Sequence, residues 1–432
     1  MGCCSALIPC PLPEPGEGDL TRRGLCACRR QDDCVRAVRR SPRPSRFQGE
    51  GAWGPKQEKE AAAYKRPLYR PVCYTVDTMD IGEIRTQIDR IDRELVELLN
   101  KRAQLALDIG KTKAREARSV FVPERERDVL GKAAKANKGP LPPEAVGAIF
   151  REIISASRAL EKPMSICYLG PPASNTHIAA TQRFGSSVTL SAAESITDVF
   201  REVERNKADY GVVPIENSTE GIVTHTLDMF LQSDLHICSE IFVQISHNLL
   251  SVTEDLSKVK RVYSMPQATA QCRTWLQANL PAIEIVEVST TARAAIVARD
   301  DPESAAVATR LAAQEYGLNV LREDIEDNPH NRTRFLVIGY TEPPPTGKDK
   351  TSIVFSVPHK AGALYRSLRI FEQEKVNLTL IESRPTKQMP WEYVFFIDFQ
   401  GHRHDPHVRM ALQTLTEESL FVRVLGSYPE AE

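Results

Sequence analysis

The segment ADYGVVPIENS, residues 208–218, reads as a buried strand that delivers polar residues at its carboxyl end. Tyr210-Gly211-Val212-Val213 is a short apolar run, and Pro214 is expected to stop it, leaving Glu216, Asn217 and Ser218 at the tip. Gly221 and a helical pattern (Ile222, Val223, Thr226, Leu227, Phe230) come next. In open α/β sheets, ligands sit beyond the carboxyl ends of strands, often beside a helix N-terminus. The same residues also fit a strand, a turn and a capped helix with no ligand at all.

Around this segment lies a chain of 432 residues with a net charge of −1, long enough for about three domains. The balanced charge gives no global field for nucleic acid or a membrane surface. No apolar run approaches the roughly 18 residues that span a bilayer. Seven of the ten cysteines (Cys3, Cys4, Cys10, Cys26, Cys28, Cys34, Cys73) precede residue 79, and only Cys167, Cys238 and Cys272 follow. Such sparse use beyond residue 79 suits a reducing, cytoplasmic compartment. Residues 1–78 are crowded with Pro, Arg and Gly and have no periodicity that builds a core. The spacing of Cys26, Cys28 and Cys34 is not that of a zinc ribbon. This segment is read as a disordered or mis-started extension, with a targeting peptide as the alternative.

From Met79 the pattern changes. Ile84, Ile88, Ile91, Leu95, Leu98, Leu105 and Ile109 recur in steps of three and four, predicting an amphipathic helix of roughly 35 residues that needs a second copy as partner. The apolar seam lands on Arg102 and Lys113. A middle helix, 124–136, adds Arg125 and Glu126, and a third, 144–161, continues its apolar face into Ser157 and Glu161. Charges on inward faces point to a polar pocket, or to paired and snorkelling side chains. IGEIRTQIDRIDRELVELLNKRAQLALDIGKTK, PERERDVL and FREIISASRALE resemble the helices of the all-α chorismate mutases. The resemblance covers about residues 80–162, within a helical domain drawn at 79–163, and implies an intertwined dimer. In it, Arg102 and the partner copy's Arg85 would hold chorismate carboxylates. Lys113 and Glu161 would face the ether oxygen, with Arg125, Glu126 and Ser157 lining the pocket. Val122 stands where that family often has an acid.

Residues 164–341 alternate strand and helix signals, predicting α/β with a mainly parallel sheet and room for two lobes. Polar groups fall at strand ends or helix starts: Ser174, Thr176 and His177; Glu216, Asn217 and Ser218; Ser264, Gln267 and Gln271; Ser289, Thr290 and Thr291; Asn331, Arg332, Thr333 and Arg334. Singly, each reads as a cap, and His177 as a structural hydrogen-bonder. No metal-ligand spacing, phosphate-binding Gly fingerprint or GxSxG elbow is present, so neither cofactor nor metal is expected. YLGPPASNTHIAA, ADYGVVPIENSTEGIV, YSMPQATAQC and NRTRFLVI together resemble prephenate dehydratase. That implies a two-lobed fold like the periplasmic binding proteins, with prephenate between the lobes. Thr333 would be the catalytic hydroxyl and Arg334 its basic neighbour, with Asn217, Ser264, Gln271, Thr291, Glu216 and Ser174 in the pocket. Ala173, Asn175 and Met265 depart from that family's usual residues.

Residues 341–347, TEPPPTG, are a linker by composition. The remainder, 348–432, reads as βαββαβ, a ferredoxin-like module. GALYRSL and ESRP resemble the effector motifs of ACT domains. On that likeness Gly362, Ala363, Leu364, Glu382, Ser383, Arg384 and Pro385 would hold L-phenylalanine at a dimer interface. The three resemblances together imply conversion of chorismate to prephenate and then to phenylpyruvate, under phenylalanine feedback, in a cytoplasmic homodimer or larger homo-oligomer. Arogenate in place of prephenate, or a non-catalytic amino-acid sensor, are the alternatives.

Overall fold

The structure is a computed structural model that describes residues 80–115, 121–385 and 393–431; the extension 1–78 lies outside them. The described chain forms one unit, Asp80–Glu432. It opens with helix α1, Ile81–Arg115. Glu83 in its first turn and Lys113 and Arg115 in its last complement the helix dipole. At 1.5 Å per residue it is about 52 Å long, too long to fold back on itself in so small a domain. Its seam residues Ile84, Ile88, Ile91, Leu95, Leu98, Leu105 and Ile109 are between 41% and 66% exposed in the single chain. Helices α2 (Pro123–Ala136) and α3 (Pro143–Glu161) each begin on a proline, which gives up no hydrogen bond there. Helices α1 and α3 approach closely at Gly110, where an added Cβ would stand 3.1 Å from Glu161 Cβ.

Lobe 1 follows: β1 (Ser165–Leu169), α4 (Asn175–Phe184), β2 (Thr189–Ala193), α5 (Ile196–Glu204), β3 (Tyr210–Asn217), β4 (Gly221–Ile222), α6 (Thr224–Gln232) and β5 (His236–Gln244). The chain then crosses to lobe 2: β6 (Asn248–Ser251), β7 (Arg261–Ser264), α7 (Pro266–Gln271), α8 (Arg273–Asn279), β8 (Glu284–Glu287), α9 (Thr291–Arg299), β9 (Ser304–Ala308), α10 (Arg310–Tyr316) and β10 (Asn319–Arg322). It returns as β11 (Arg332–Gly339). The sheet orders are β2-β1-β3-β11-β5, with β4 on β3, and β10-β6-β9-β7-β8. The expected mainly parallel sheet is in fact mixed. Strand β11 runs antiparallel to both neighbours, and so do β6 and β10 to theirs. Apart from the short β4, one strand in each sheet reverses, β11 in the first and β6 in the second, each entered directly from a lobe crossing, and side-chain pattern does not encode direction.

Pro214 does not end β3. The strand runs on to Asn217 through a bulge: Arg334 of β11 pairs with Glu216 while Phe335 pairs with Pro214, leaving Ile215 unopposed. The missing Pro214 N–H is tolerated at such an irregularity, and the bulge re-aims the residues beyond it.

The last module contains β12 (Asp349–Ser356), α11 (Ala363–Gln373), β13 (Leu378–Pro385), β14 (Tyr393–Gln400), α12 (Pro406–Glu418) and β15 (Phe421–Pro429), in sheet order β13-β14-β12-β15. All eight residues of β12 are buried, because both faces of the sheet are covered. Ile353, Phe355, Ile397 and Phe399 pack under α11 and α12 with Ile370, Phe371, Val408 and Leu415. On the other face Val354, Val394, Phe396 and Leu425 join a core with Ile237, Leu336 and Ile338 of lobe 1. Strand β15 lies so close to β5 that a Cβ on Gly426 would be 2.3 Å from the Ile237 carbonyl oxygen. The compositional linker is packed as well: Thr341 bonds the Tyr210 hydroxyl at 2.9 Å, and Glu342 pairs with Arg403 at 3.0 Å.

Candidate active sites

Two polar contacts join α1 to α3. Arg102 donates to Ser157 Oγ, which itself donates to the Ile153 carbonyl at 2.7 Å. One helical stretch further on, Lys113 Nζ meets Glu161 Oε2 at 3.2 Å. The structure therefore brings Arg102, Ser157, Lys113 and Glu161 to one side of the α1–α3 pair. Arg85 lies 17 positions before Arg102 on the same straight helix, about 26 Å away, and cannot serve the same pocket within one chain. Arg125 is exposed.

Glu126 has a different role from the one its resemblance implied. Its carboxylate is buried and held by Arg158 of α3 at 2.7 Å and by Arg183 of α4 at 3.0 Å. The Arg183 guanidinium also lies over the Phe121 ring, 4.9 Å from its centroid. Glu126 is thus a clasp between the helical domain and lobe 1, and its oxygens are committed to two cations.

The second constellation forms where the lobes meet. Thr333 Oγ, near the start of β11, accepts from Asn217 Nδ2 at 2.8 Å. The same amide nitrogen donates to Asn331 Oδ1 at 2.9 Å, and Asn331 Nδ2 donates to Gln271 Oε1 at 3.1 Å. Gln271 belongs to lobe 2, and it also donates to Glu220 Oε1 at 3.2 Å and meets His247 Nε2 at 2.8 Å. The bulge in β3 and the pairing of Thr333 with Asn217 across β11 and β3 set this ladder. Thr333 accepts from Asn217, so its own proton is free to be donated. Among the described residues no carboxylate or imidazole bonds Thr333 Oγ, so nothing there would act as its base.

Other residues fall elsewhere. Ser174 caps α4, accepting from the His177 N–H and donating to the Leu169 carbonyl at 3.1 Å. This is a capping role. His177 accepts the Ala173 N–H on Nδ1 at 3.0 Å and stacks on Tyr168 with centroids 4.7 Å apart. It is a structural hydrogen-bonder, and burial holds its pKa below the usual range. Ser264 is fully buried, its hydroxyl on the Met265 carbonyl, and Thr291 is half-buried at the start of α9.

Arg334 is a correction. Successive strand residues point to opposite faces, so where Thr333 faces the lobe junction, Arg334 faces the C-terminal module. It is 5% exposed and bonds Glu240 Oε2 at 2.7 Å, Asp398 Oδ2 at 2.6 Å and the Tyr428 hydroxyl at 2.9 Å. Lys350 completes the group on Glu240 at 2.9 Å. Burial opposes the Arg334 charge, but its anionic partners outweigh that and raise its pKa. Glu216, half-exposed, lies 4.0 Å from this guanidinium. Arg384 is also engaged in docking, gripping both oxygens of Asp228 on α6 at 3.0 and 3.2 Å. A cleft lined by Val357, Ala363, Leu364, Phe395 and Leu420 opens beside Gly362. Glu382, Ser383 and Pro385 lie on β13 and do not line that cleft, although Ser383 and Pro385 pair with its lining residues Phe395 and Tyr393.

Among the described residues, no group of His, Cys, Asp and Glu could hold a metal, and no helix is long and apolar enough to cross a membrane. His247 and Glu220 are the components that strand-end reasoning does not single out, and Asn331 is singled out there but given no role in the pocket. Asn331 and Glu220 lie inside the quoted signature stretches, whereas His247 carries no local signal.

Comparison with known proteins follows the same three-part division. The pattern of the chorismate mutase type II family matches residues 84–162, that of prephenate dehydratase residues 166–343 and that of the ACT domain residues 351–417. A bifunctional chorismate mutase/prephenate dehydratase of Aquifex aeolicus (strain VF5) is 48% identical over 356 residues, 82% of this chain and 98% of that protein. A solved prephenate dehydratase of Arthrobacter aurescens in complex with L-Phe is 39% identical, with a TM-score of 0.58, covering 62% of this chain and 90% of its own. A quorum-quenching acylase, GqqA, has the same TM-score at 30% identity, covering 62% of this chain and 98% of its own.

Proposed function

The chain belongs to the family of bifunctional chorismate mutase/prephenate dehydratases, and we propose that Thr333 is the hydroxyl on which its dehydratase half turns. The enzyme converts chorismate to prephenate and prephenate to phenylpyruvate, with feedback by phenylalanine. In the second step the bond from the ring to its carboxylate breaks as carbon dioxide leaves. That electron pair enters the ring, and the ring C–O bond breaks to release hydroxide and an aromatic product. A group that donates a hydrogen bond to the departing oxygen lowers this barrier. The observation that carries the reading is the Asn217-to-Thr333 bond of 2.8 Å, which turns the threonine into an outward donor. An acylase would need the reverse, a base drawing the proton away from its nucleophile; the ladder favours dehydration.

In the mutase half, rearrangement needs a compact conformer and positive charge at the breaking ether bond, and no nucleophile. Lys113 has three donors, enough for the ether oxygen and Glu161 together. Arg102, steadied by Ser157, holds one carboxylate, and Arg85 of a second copy holds the other. That second copy covers the exposed seam of α1, so the enzyme works as a homodimer or larger homo-oligomer, placed in the cytoplasm. Phenylalanine binds where the Gly362–Leu364 turn of one copy meets β13 of another. Prephenate is the proposed substrate of the dehydratase half, following the relatives' names.

The test is Thr333→Ala. It is expected to lower dehydration by about 100-fold or more, on the scale of losing one transition-state donor. Chorismate is still consumed and prephenate accumulates. Phenylpyruvate formed at an undiminished rate removes Thr333 from this role.

A further inference from the structure

We propose that His247 is a positioning residue for dehydration: its Nε2–H holds the Gln271 carboxamide at the lobe boundary and so aligns the amide ladder that leaves Thr333 free to donate. The inference rests on Thr333 being the dehydration hydroxyl.

His247 lies on the first crossing between the lobes and is 3% exposed. Its backbone is tied to the second crossing on both sides. The N–H donates to Glu326 Oε2 at 2.8 Å, and the carbonyl accepts from Ile325 N–H at 2.8 Å. The ring therefore sits on the hinge itself.

The partners fix the direction of every bond in the ladder. Glu220 presents a carboxylate oxygen, which only accepts, 3.2 Å from Gln271 Nε2. The Gln271 amide nitrogen thus faces Glu220, and its oxygen faces His247 and Asn331. An acceptor 2.8 Å from His247 Nε2 requires the imidazole proton on that nitrogen. Nδ1 meets no hydrogen-bond partner among the described residues, so a second proton there would be an unsatisfied buried donor. Burial, the largest influence on this ring, also lowers its pKa. The ring is the neutral Nε2–H tautomer.

From there the order propagates. Asn331 Nδ2 shares the Gln271 oxygen, which turns Asn331 Oδ1 towards Asn217. Asn217 Oδ1 is already taken by the N–H groups of Thr219 and Glu220, at 2.9 and 3.0 Å. Its amide nitrogen is left to donate to Asn331 and to Thr333 Oγ. If the Gln271 amide were reversed, its nitrogen would oppose two donors, and the ladder would lose its anchor.

The full chain is assayed for phenylpyruvate from prephenate, with chorismate consumption in the same preparation as the folding control. His247→Leu removes the donor at similar volume. It is expected to lower dehydratase kcat by about 10- to 100-fold, the scale of a small misplacement remote from the chemistry, while KM and mutase rate hold. His247→Gln carries an N–H near the Nε2 position and is expected to restore most of that loss; His247→Asn, with a donor only at the δ position, is not. In a Gln271→Leu background, His247→Leu is expected to add little, because both act through one contact. Wild-type kcat in His247→Leu, equal losses in the Gln and Asn variants, or fully additive losses overturn the proposal. If the Leu variant also loses mutase activity, the Gln/Asn comparison decides. Thr333→Ala that still dehydrates sinks the reading of the site itself. A dead Thr333→Ala beside an unimpaired His247→Leu sinks only this inference.

Discussion

Thr333 and Arg334 are adjacent residues with unrelated roles, because a strand offers its neighbours to opposite sides. The motif NRTRF made both legible as important, but no property of the sequence says which side of β11 faces the lobe junction. That depends on the C-terminal module covering the other side, a contact between residues more than 60 positions apart. His177 was more transparent: a lone imidazole in a first helical turn, with a capping serine before it, is a local arrangement. It yields a pH prediction. Its Nδ1 must be unprotonated to accept the Ala173 N–H, and its folded pKa lies below the ordinary value of 6.5. The unfolded state then binds more protons in that window, so stability rises with pH. The contribution is full above about pH 6.5 and is lost as pH falls towards the folded pKa. His177→Asn keeps an acceptor near the δ position without titrating. Between pH 7.5 and pH 5 its Tm is expected to fall less than that of the parent, and parallel curves would count against the assignment.

Single elements differ in how openly the sequence declares them. Helix α1 was readable from end to end, since a long amphipathic helix repeats one signal many times over. What it packs against was readable only as a need. The exposed seam marks where the proposed second copy would pack: Ile91 and Leu98 are 55% and 60% exposed in mid-helix. Placing glutamates there, Ile91→Glu with Leu98→Glu, puts charge where the proposed second copy would sit. Light scattering is expected to show half the parent mass, with mutase activity lost through the missing Arg85 and dehydration retained within about twofold, as sites sharing no partners behave independently. A variant of unchanged mass would mean that the seam is covered otherwise. Strand β3 was readable only to Pro214. Beyond it, the bulge that carries Asn217 to Thr333 is created by pairing with β11, more than 100 residues away, and no local pattern announces that.

Across the whole molecule, the order of the three modules was legible, since each has its own period and composition. Their mutual grip was not. The Glu126 clasp and the Arg334 group are centred on residues to which the family resemblances give a place in the pockets. Both clasps hold lobe 1, and β5 and β11 pair side by side, Gln244 opposite Arg332. The 87 residues between that pair therefore leave the sheet and come back to the point of departure, as an inserted cassette does. Such an arrangement lets a ligand-closing half be gained or discarded without rewriting its host. A chain in which residues 246–330 give way to a short Asn-Gly turn is expected to keep its mutase turnover and lose dehydration entirely. An inactive mutase in that shortened chain would show that the excursion is part of the frame and not a guest in it.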